Sequence, residues 1–167
     1  MGEISVRCDL RPGDVGAIVR WQGLTYAQEH GFNVQFEGYV AGALGEFAAT
    51  RPSRARIWLA EDGAQVVGFV ALVAAKGQAD VASSDVAQLR WFLVDPSVRG
   101  QGLGTRLLGD ALAFAREQGY RRVSLWTVAQ LSAAARLYRS AGFEIVEAMP
   151  RHCWGVDVIE ERYELTL

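Results

Sequence analysis

At 167 residues, half of them hydrophobic, the chain has the size and composition of one globular domain with a proper core. A formal net charge of −2, with arginine and acid mixed along the chain, excludes the basic face of a nucleic-acid binder, so no nucleic-acid partner is expected. Two distant cysteines (Cys8, Cys153) without CxxC or HxxxH spacing read as reduced thiols with no metal site, and with no signal peptide, no myristoylation serine or threonine (Val6 stands there) and no membrane span, a cytoplasmic protein is expected.

Ile4–Cys8 alternates as a short first strand. After the turn Arg11-Pro12-Gly13-Asp14, with Asp14 as N-cap, Val15, Ile18, Val19, Leu24 and Tyr26 mark a first helix to about Glu29, broken by His30-Gly31. Phe32 to Ala49 is a second helix, ended by Arg51-Pro52-Ser53. Ile57–Ala60 and Gln65–Val73 read as a hairpin around Asp62-Gly63. Lys76 to Val86 is a polar, mobile loop, and Gln88 to Val94 the next strand. Leu103, Leu107, Leu108, Ala111, Leu112 and Ala115 form one face of a helix that stops at Gln118-Gly119. A strand through Val123, Leu125 and Thr127, a short helix Leu131–Ser140, a strand Phe143–Glu147 and a last strand in Val156–Leu167 complete the chain. The order β-α-α-β-β-β-α-β-α-β-β implies an α/β (α+β) sheet with helices on both faces.

The densest signal runs from Ala87 to Leu108: strand, glycine-rich loop, helix N-terminus. Glycines let backbone approach a ligand, and the first helical turn offers unpaired N–H groups and partial positive charge, which together suit a phosphate. The loop is no Walker motif, because the chain's one lysine is Lys76. It is no GxGxxG fingerprint either, since Thr105 or Leu107 stands where the third glycine belongs.

What remains is Arg99-x-x-Gly102-x-Gly104, which resembles the acetyl-CoA pyrophosphate loop of the GNAT superfamily of N-acetyltransferases. Leu93-Val94-Asp95-Pro96 before it, Trp126-Thr127, and Ala134-Ala135-Arg136-Leu137-Tyr138-x-x-x-Gly142-Phe143 after it extend the likeness over about a third of the chain. Leu89–Pro96 and Leu125–Thr127 look especially like acetyltransferase domains fused to MarR-type DNA-binding domains, with residues 1–167 as a single free-standing relative. The resemblance implies a GNAT-like, mostly antiparallel central sheet. It implies acetyl transfer from acetyl-CoA, as acetyl donor and without a metal, to a primary amine of a small molecule or protein by direct attack in a ternary complex. It places the cofactor on Leu93, Val94, Arg99, Gly100, Gln101, Gly102, Leu103, Gly104 and Thr105, with Val94 N–H polarising the thioester carbonyl and Tyr138 both touching the cofactor and protonating the CoA thiolate. A phenol of pKa ~10 can donate to a thiolate whose acid has pKa ~8.5 without prior ionisation.

Two positions depart from the family pattern. Gln88 replaces the common glutamate base, leaving Glu29, His30, Glu147 or water, and Leu131 replaces a common asparagine. Gln88 also sustains an alternative, a non-catalytic acyl-CoA-binding sensor or interaction module. His152-Cys153 reads equally as an exposed turn or as part of the acceptor pocket. Most of the tryptophans read as packing, with Trp91 or Trp126 able to line an acceptor pocket beside Tyr26 and Phe32. Arg90 faces solvent, holds an acidic acceptor or forms an internal ion pair, the last being the expectation. A homodimer through the C-terminal strands fits the pattern.

Overall fold

The computed structural model describes residues 4–75 and 85–167, so most of the loop expected at Lys76–Val86 lies outside the described residues. The elements are β1 (Ser5–Arg7), α1 (Asp14–His30), α2 (Val34–Thr50), β2 (Arg56–Asp62), β3 (Gln65–Ala74), β4 (Val86–Val94), α3 (Leu103–Glu117), β5 (Arg122–Val128), α4 (Ser132–Ser140), β6 (Glu144–Cys153) and β7 (Val156–Thr166). They build a seven-stranded sheet in the order β1-β2-β3-β4-β5-β7-β6. Every pairing is antiparallel except β4 with β5.

Two cores flank the sheet. Leu103, Leu107, Leu108, Ala111 and Ala115 recur at helical spacing, and they seal α3 together with Tyr138 of α4 onto one face. Ile18 of α1 and Phe36, Val40 and Leu44 of α2 cover the other. Among the described residues no helix is long and apolar enough to cross a membrane.

Three local readings change. The N-cap of α1 is Gly13, at φ 98°, not Asp14, which is the first helical residue. Asp14 instead accepts from the backbone N–H of Arg11 at 2.6 Å and from the two terminal guanidinium nitrogens of Arg7, each at 2.8 Å. The second helix begins at Val34 because Asn33 caps it, its side chain accepting from Gln35 N–H at 3.0 Å. The strand expected at Phe143–Glu147 runs on to Cys153. Pro150 does not end it, because β6 pairs only with β7 and an edge strand tolerates a missing N–H.

The Arg7 cluster makes an acid-sensitive joint between β1, α1 and β2, since Arg7 also pairs with Glu61 at 2.8 Å. Burial pushes the Asp14 carboxyl up, but donation from Arg7 and the Arg11 N–H outweighs it and the folded value is lowered from 3.8. A lowered carboxylate pKa contributes stability that is complete above the unfolded value and lost as pH falls through the folded one. Asp14→Asn is therefore expected to cost about 1–2 kcal/mol at neutral pH and to flatten the loss of stability below about pH 4. Thermal melts of both proteins from pH 7 to pH 3 check this.

Candidate functional site

The sheet opens in its middle. β4 and β5 pair only at Val86–Gln88 against Arg122–Ser124, and from Leu89 and Leu125 onward the strands diverge. A bulge accompanies the opening: between the pairs Phe69–Leu93 and Ala71–Arg90, Val70 faces both Trp91 and Phe92. Trp91 sits at φ 49°, a left-handed conformation costly for a bulky residue. Beyond the bulge, Asp95 N–H donates to Val67 of β3 at 2.9 Å. Backbone groups alternate sides along a strand, so Leu93, paired with Phe69, is turned to β3, while Val94 N–H points into the opening. Of the two strand residues expected to bond a ligand through backbone, Val94 alone is free to do so.

The chain then turns on Asp95, whose carboxylate accepts from Ser97 N–H at 2.9 Å and caps a single 3₁₀ turn, Pro96–Val98. Gly100 and Gly102 follow at φ 77° and 84°, with Gly102 as the uncapped N-terminus of α3. Leu103 is buried and anchors the helix start in the core. Among the described residues the backbone N–H groups from Gly100 to Thr105 donate to no protein acceptor. Such a run of unpaired donors at a helix N-terminus is an anion cradle. Gln101 supports it through its side chain, which donates to Ser97 carbonyl at 3.3 Å. Arg99 is different: its N–H closes the 3₁₀ turn on Pro96, and its guanidinium is engaged by Val94 carbonyl at 2.9 Å and Glu29 at 3.1 Å. The cradle opens into a cleft of about 560 Å³ lined also by Phe92, Val94, Leu137 and Tyr138.

A second, smaller cleft of about 220 Å³ enters from the α1/α2 face, between the diverging strands. Tyr138 and Tyr26 line both clefts and stand where they meet. Tyr138 packs against Phe92, Phe143 and Tyr163, and its hydroxyl has no hydrogen-bond partner among the described residues. Burial pushes the Tyr138 phenol well above its ordinary value and the Tyr26 phenol up to about 12, so both are protonated at neutral pH.

The smaller cleft is walled by rings: Tyr26, Phe32, Phe36, Tyr39, Trp91, Trp126 and Trp154. Trp154 arrives from the β6–β7 turn, which docks on α2 through Asn33 N–H to Trp154 carbonyl at 2.9 Å. There Trp154 packs on Phe32 and Phe36 at 5.0 and 5.1 Å. Sequence periodicity could not assign this residue, because it precedes Gly155 in a turn. His152 lies before that turn, exposed near the end of β6, and pairs with Asp157 of β7 at 2.7 Å.

Arg90 lines the cleft but forms no ion pair among the described residues, contrary to expectation; it donates to Tyr39 hydroxyl at 3.1 Å. Gln88 also lines it. The cleft's carboxylate is Glu160, a residue that sequence reasoning missed, and it is paired with Arg151 at 2.6 Å. Glu29 and His30 lie instead on the loop cleft, where burial lowers the His30 pKa against the raising effect of Glu29. Glu147 lines neither cleft and pairs with Arg162 at 3.2 Å.

A family model described as the acetyltransferase (GNAT) family matches residues 17–143. An uncharacterized N-acetyltransferase of Methanocaldococcus jannaschii is 33% identical over 92 residues, 55% of this chain and 40% of that protein. N-acetyltransferase 8F1 of Rattus norvegicus is 40% identical over 89 residues, 52% of this chain and 38% of that protein. The matched segment thus spans less than half of either relative. Among solved structures, an N-acetyltransferase from Staphylococcus aureus Mu50 superposes with a TM-score of 0.81 at 18% identity, covering 99% of both chains. yncA from Salmonella typhimurium, solved with its cofactor acetyl-CoA, superposes at 0.74 with 20% identity, covering 98% of this chain and 93% of that one. These structures share the fold.

Proposed function

The chain belongs to the acetyltransferase (GNAT) family, and from that premise we propose that it moves an acetyl group from acetyl-CoA to a primary amine by direct attack in a ternary complex. The observation that carries the reading is the unpartnered Tyr138 hydroxyl where the two clefts meet. The loop cleft fits the cofactor because its orphaned N–H groups from Gly100 to Thr105 match a pyrophosphate. Acetyl-CoA supplies the activated acyl thioester.

In this reading Val94 N–H, aimed into the sheet opening, donates to the thioester carbonyl oxygen, a contribution of about 3 kcal/mol to the transition state. Leu93 fixes that amide by staying paired to β3. Arg99 adds positive charge beside the cradle once the pyrophosphate competes for it with Glu29. The aromatic cleft admits the amine together with water. As the amine nitrogen bonds the carbonyl carbon and the carbon–sulfur bond breaks, Tyr138 gives its proton to the sulfur and regains one from solvent. Glu160 is held by Arg151 and Gln88 cannot take a proton, so the amine's proton passes to water.

We further propose that residues 1–167 act as one domain in the cytoplasm, with the segment Leu89–Pro96 like that of the MarR-fused acetyltransferase domains. In the same proposal the domain forms a homodimer through β6 and β7, where Ile145, Val146 and Ile159 are exposed. Gln88 favours the second reading, a binding module without turnover. Thiol release from acetyl-CoA across a panel of primary amines separates the two. Cofactor binding with no thiol from any amine overturns the enzyme reading and leaves the module.

A further inference from the structure

We infer that the acceptor amine also carries an oxyanion, an α-carboxylate in the simplest case, and that Arg90 holds it. This rests on the acetyl-transfer reading and names the substrate class of the same site.

Arg90 sits on β4 in the aromatic cleft, with its guanidinium 4.9 Å from the Trp91 ring and 5.7 Å from the Tyr39 ring. Tyr39 hydroxyl takes one of its donors at 3.1 Å, and no carboxylate pairs with it among the described residues. The cleft's own acid does not compensate it, since Glu160 is bound to Arg151. The cleft therefore keeps a half-buried positive charge whose planar fork is oriented by rings and whose remaining N–H groups lack an anion. A guanidinium in that setting matches a carboxylate or phosphonate through paired N–H···O bonds.

Two further polar atoms in the cleft's lining residues are buried without a partner: Gln22 Oε1 and Trp91 Nε1. Gln22 is 3% exposed and Trp91 7%. Unpaired buried polar atoms are rare, and a ligand is one of their ordinary explanations. Gln22 Oε1 can only accept, which suits an amine N–H, and Trp91 Nε1–H can only donate, which suits an oxygen. With ring walls and a volume of about 220 Å³, the fitting ligand is a small amino acid or aminophosphonate with an apolar side chain.

The test uses matched sets: phenylalanine, its aminophosphonate analogue, and phenethylamine, which lacks the oxyanion. Binding to the protein saturated with free CoA is measured by calorimetry, and turnover with acetyl-CoA by thiol release. The oxyanion-bearing members are expected to bind on the order of 100-fold tighter than phenethylamine, and Arg90→Met to collapse that ratio toward one, with Arg90→Lys restoring part of it. Circular dichroism of both variants confirms folding. The carboxylate and phosphonate arms show which oxyanion is preferred, either one supporting the inference. Equal affinity for phenethylamine, no binding by any member, or a ratio unchanged in Arg90→Met overturns it. Arg90-dependent binding without thiol release supports the anion site and strikes only the acetyl-transfer reading.

Discussion

Tyr138→Phe is expected to lower kcat for acetyl transfer by about a hundredfold or more while acetyl-CoA affinity stays within a few-fold of the parent. The substitution removes one oxygen and keeps the ring, so the contacts with Phe92, Phe143 and Tyr163 persist and the α4 core is undisturbed. What is lost is the proton donor, and a positioned general acid contributes typically 10²–10⁴-fold. The raised phenol pKa gives the sign of the pH dependence: the donor stays loaded across the neutral range, so a fall in kcat on its account appears only at strongly alkaline pH. Single-turnover thiol release against pH, for parent and variant, checks both statements. A variant with unchanged kcat would move the acid elsewhere, with Tyr26 the adjacent phenol.

The second large effect belongs to the loop. Gly102→Val is expected to weaken acetyl-CoA binding by on the order of 100-fold, and Gly102→Ala by much less. A Cβ at Gly102 meets nothing within 4 Å, so the added methyl of alanine stands in open space. The penalty is conformational: φ 84° is reached freely by glycine, at some cost by alanine, and against strong strain by a β-branched side chain. Relief of that strain turns the loop and disperses the N–H groups that now converge. Calorimetry with free CoA reads the two losses, and the graded order separates backbone strain from simple obstruction. Equal affinity in all three proteins would mean that the anion is held elsewhere.

Local chemistry made much of this architecture legible in advance. The recurrence from Leu103 to Ala115 buries one face of α3 as its spacing requires, and the β2–β3 hairpin forms where Asp62-Gly63 placed it, turning on Gly63-Ala64 with Asp62 paired to Gln65. The loop glycines announced their own positive φ angles. The parts that escaped depend on partners remote in sequence. The strand expected at Phe143–Glu147 runs on through Pro150 because β6 is an edge. Arg90 reads as half of an ion pair until its neighbours prove to be rings and a hydroxyl. Glu160 and Trp154 carry no periodic signal, and reach the cleft only because the β6–β7 hairpin folds back onto α2. The bulge at Trp91 is invisible in an alternating apolar run, since a one-residue slip of register leaves composition unchanged.

The short seam between β4 and β5 has a consequence for how protection from solvent exchange is distributed over the molecule. Amides at the centre of a seven-stranded sheet ordinarily exchange only on global unfolding. Val94 breaks that rule, because its N–H belongs to a central strand yet has no strand opposite. Deuterium should therefore replace it as quickly as at a sheet edge in the free protein, while Leu93, one residue away, stays protected. Added acetyl-CoA, whose thioester carbonyl accepts from this amide, should slow exchange at Val94, turning one interior amide into a reporter of cofactor occupancy.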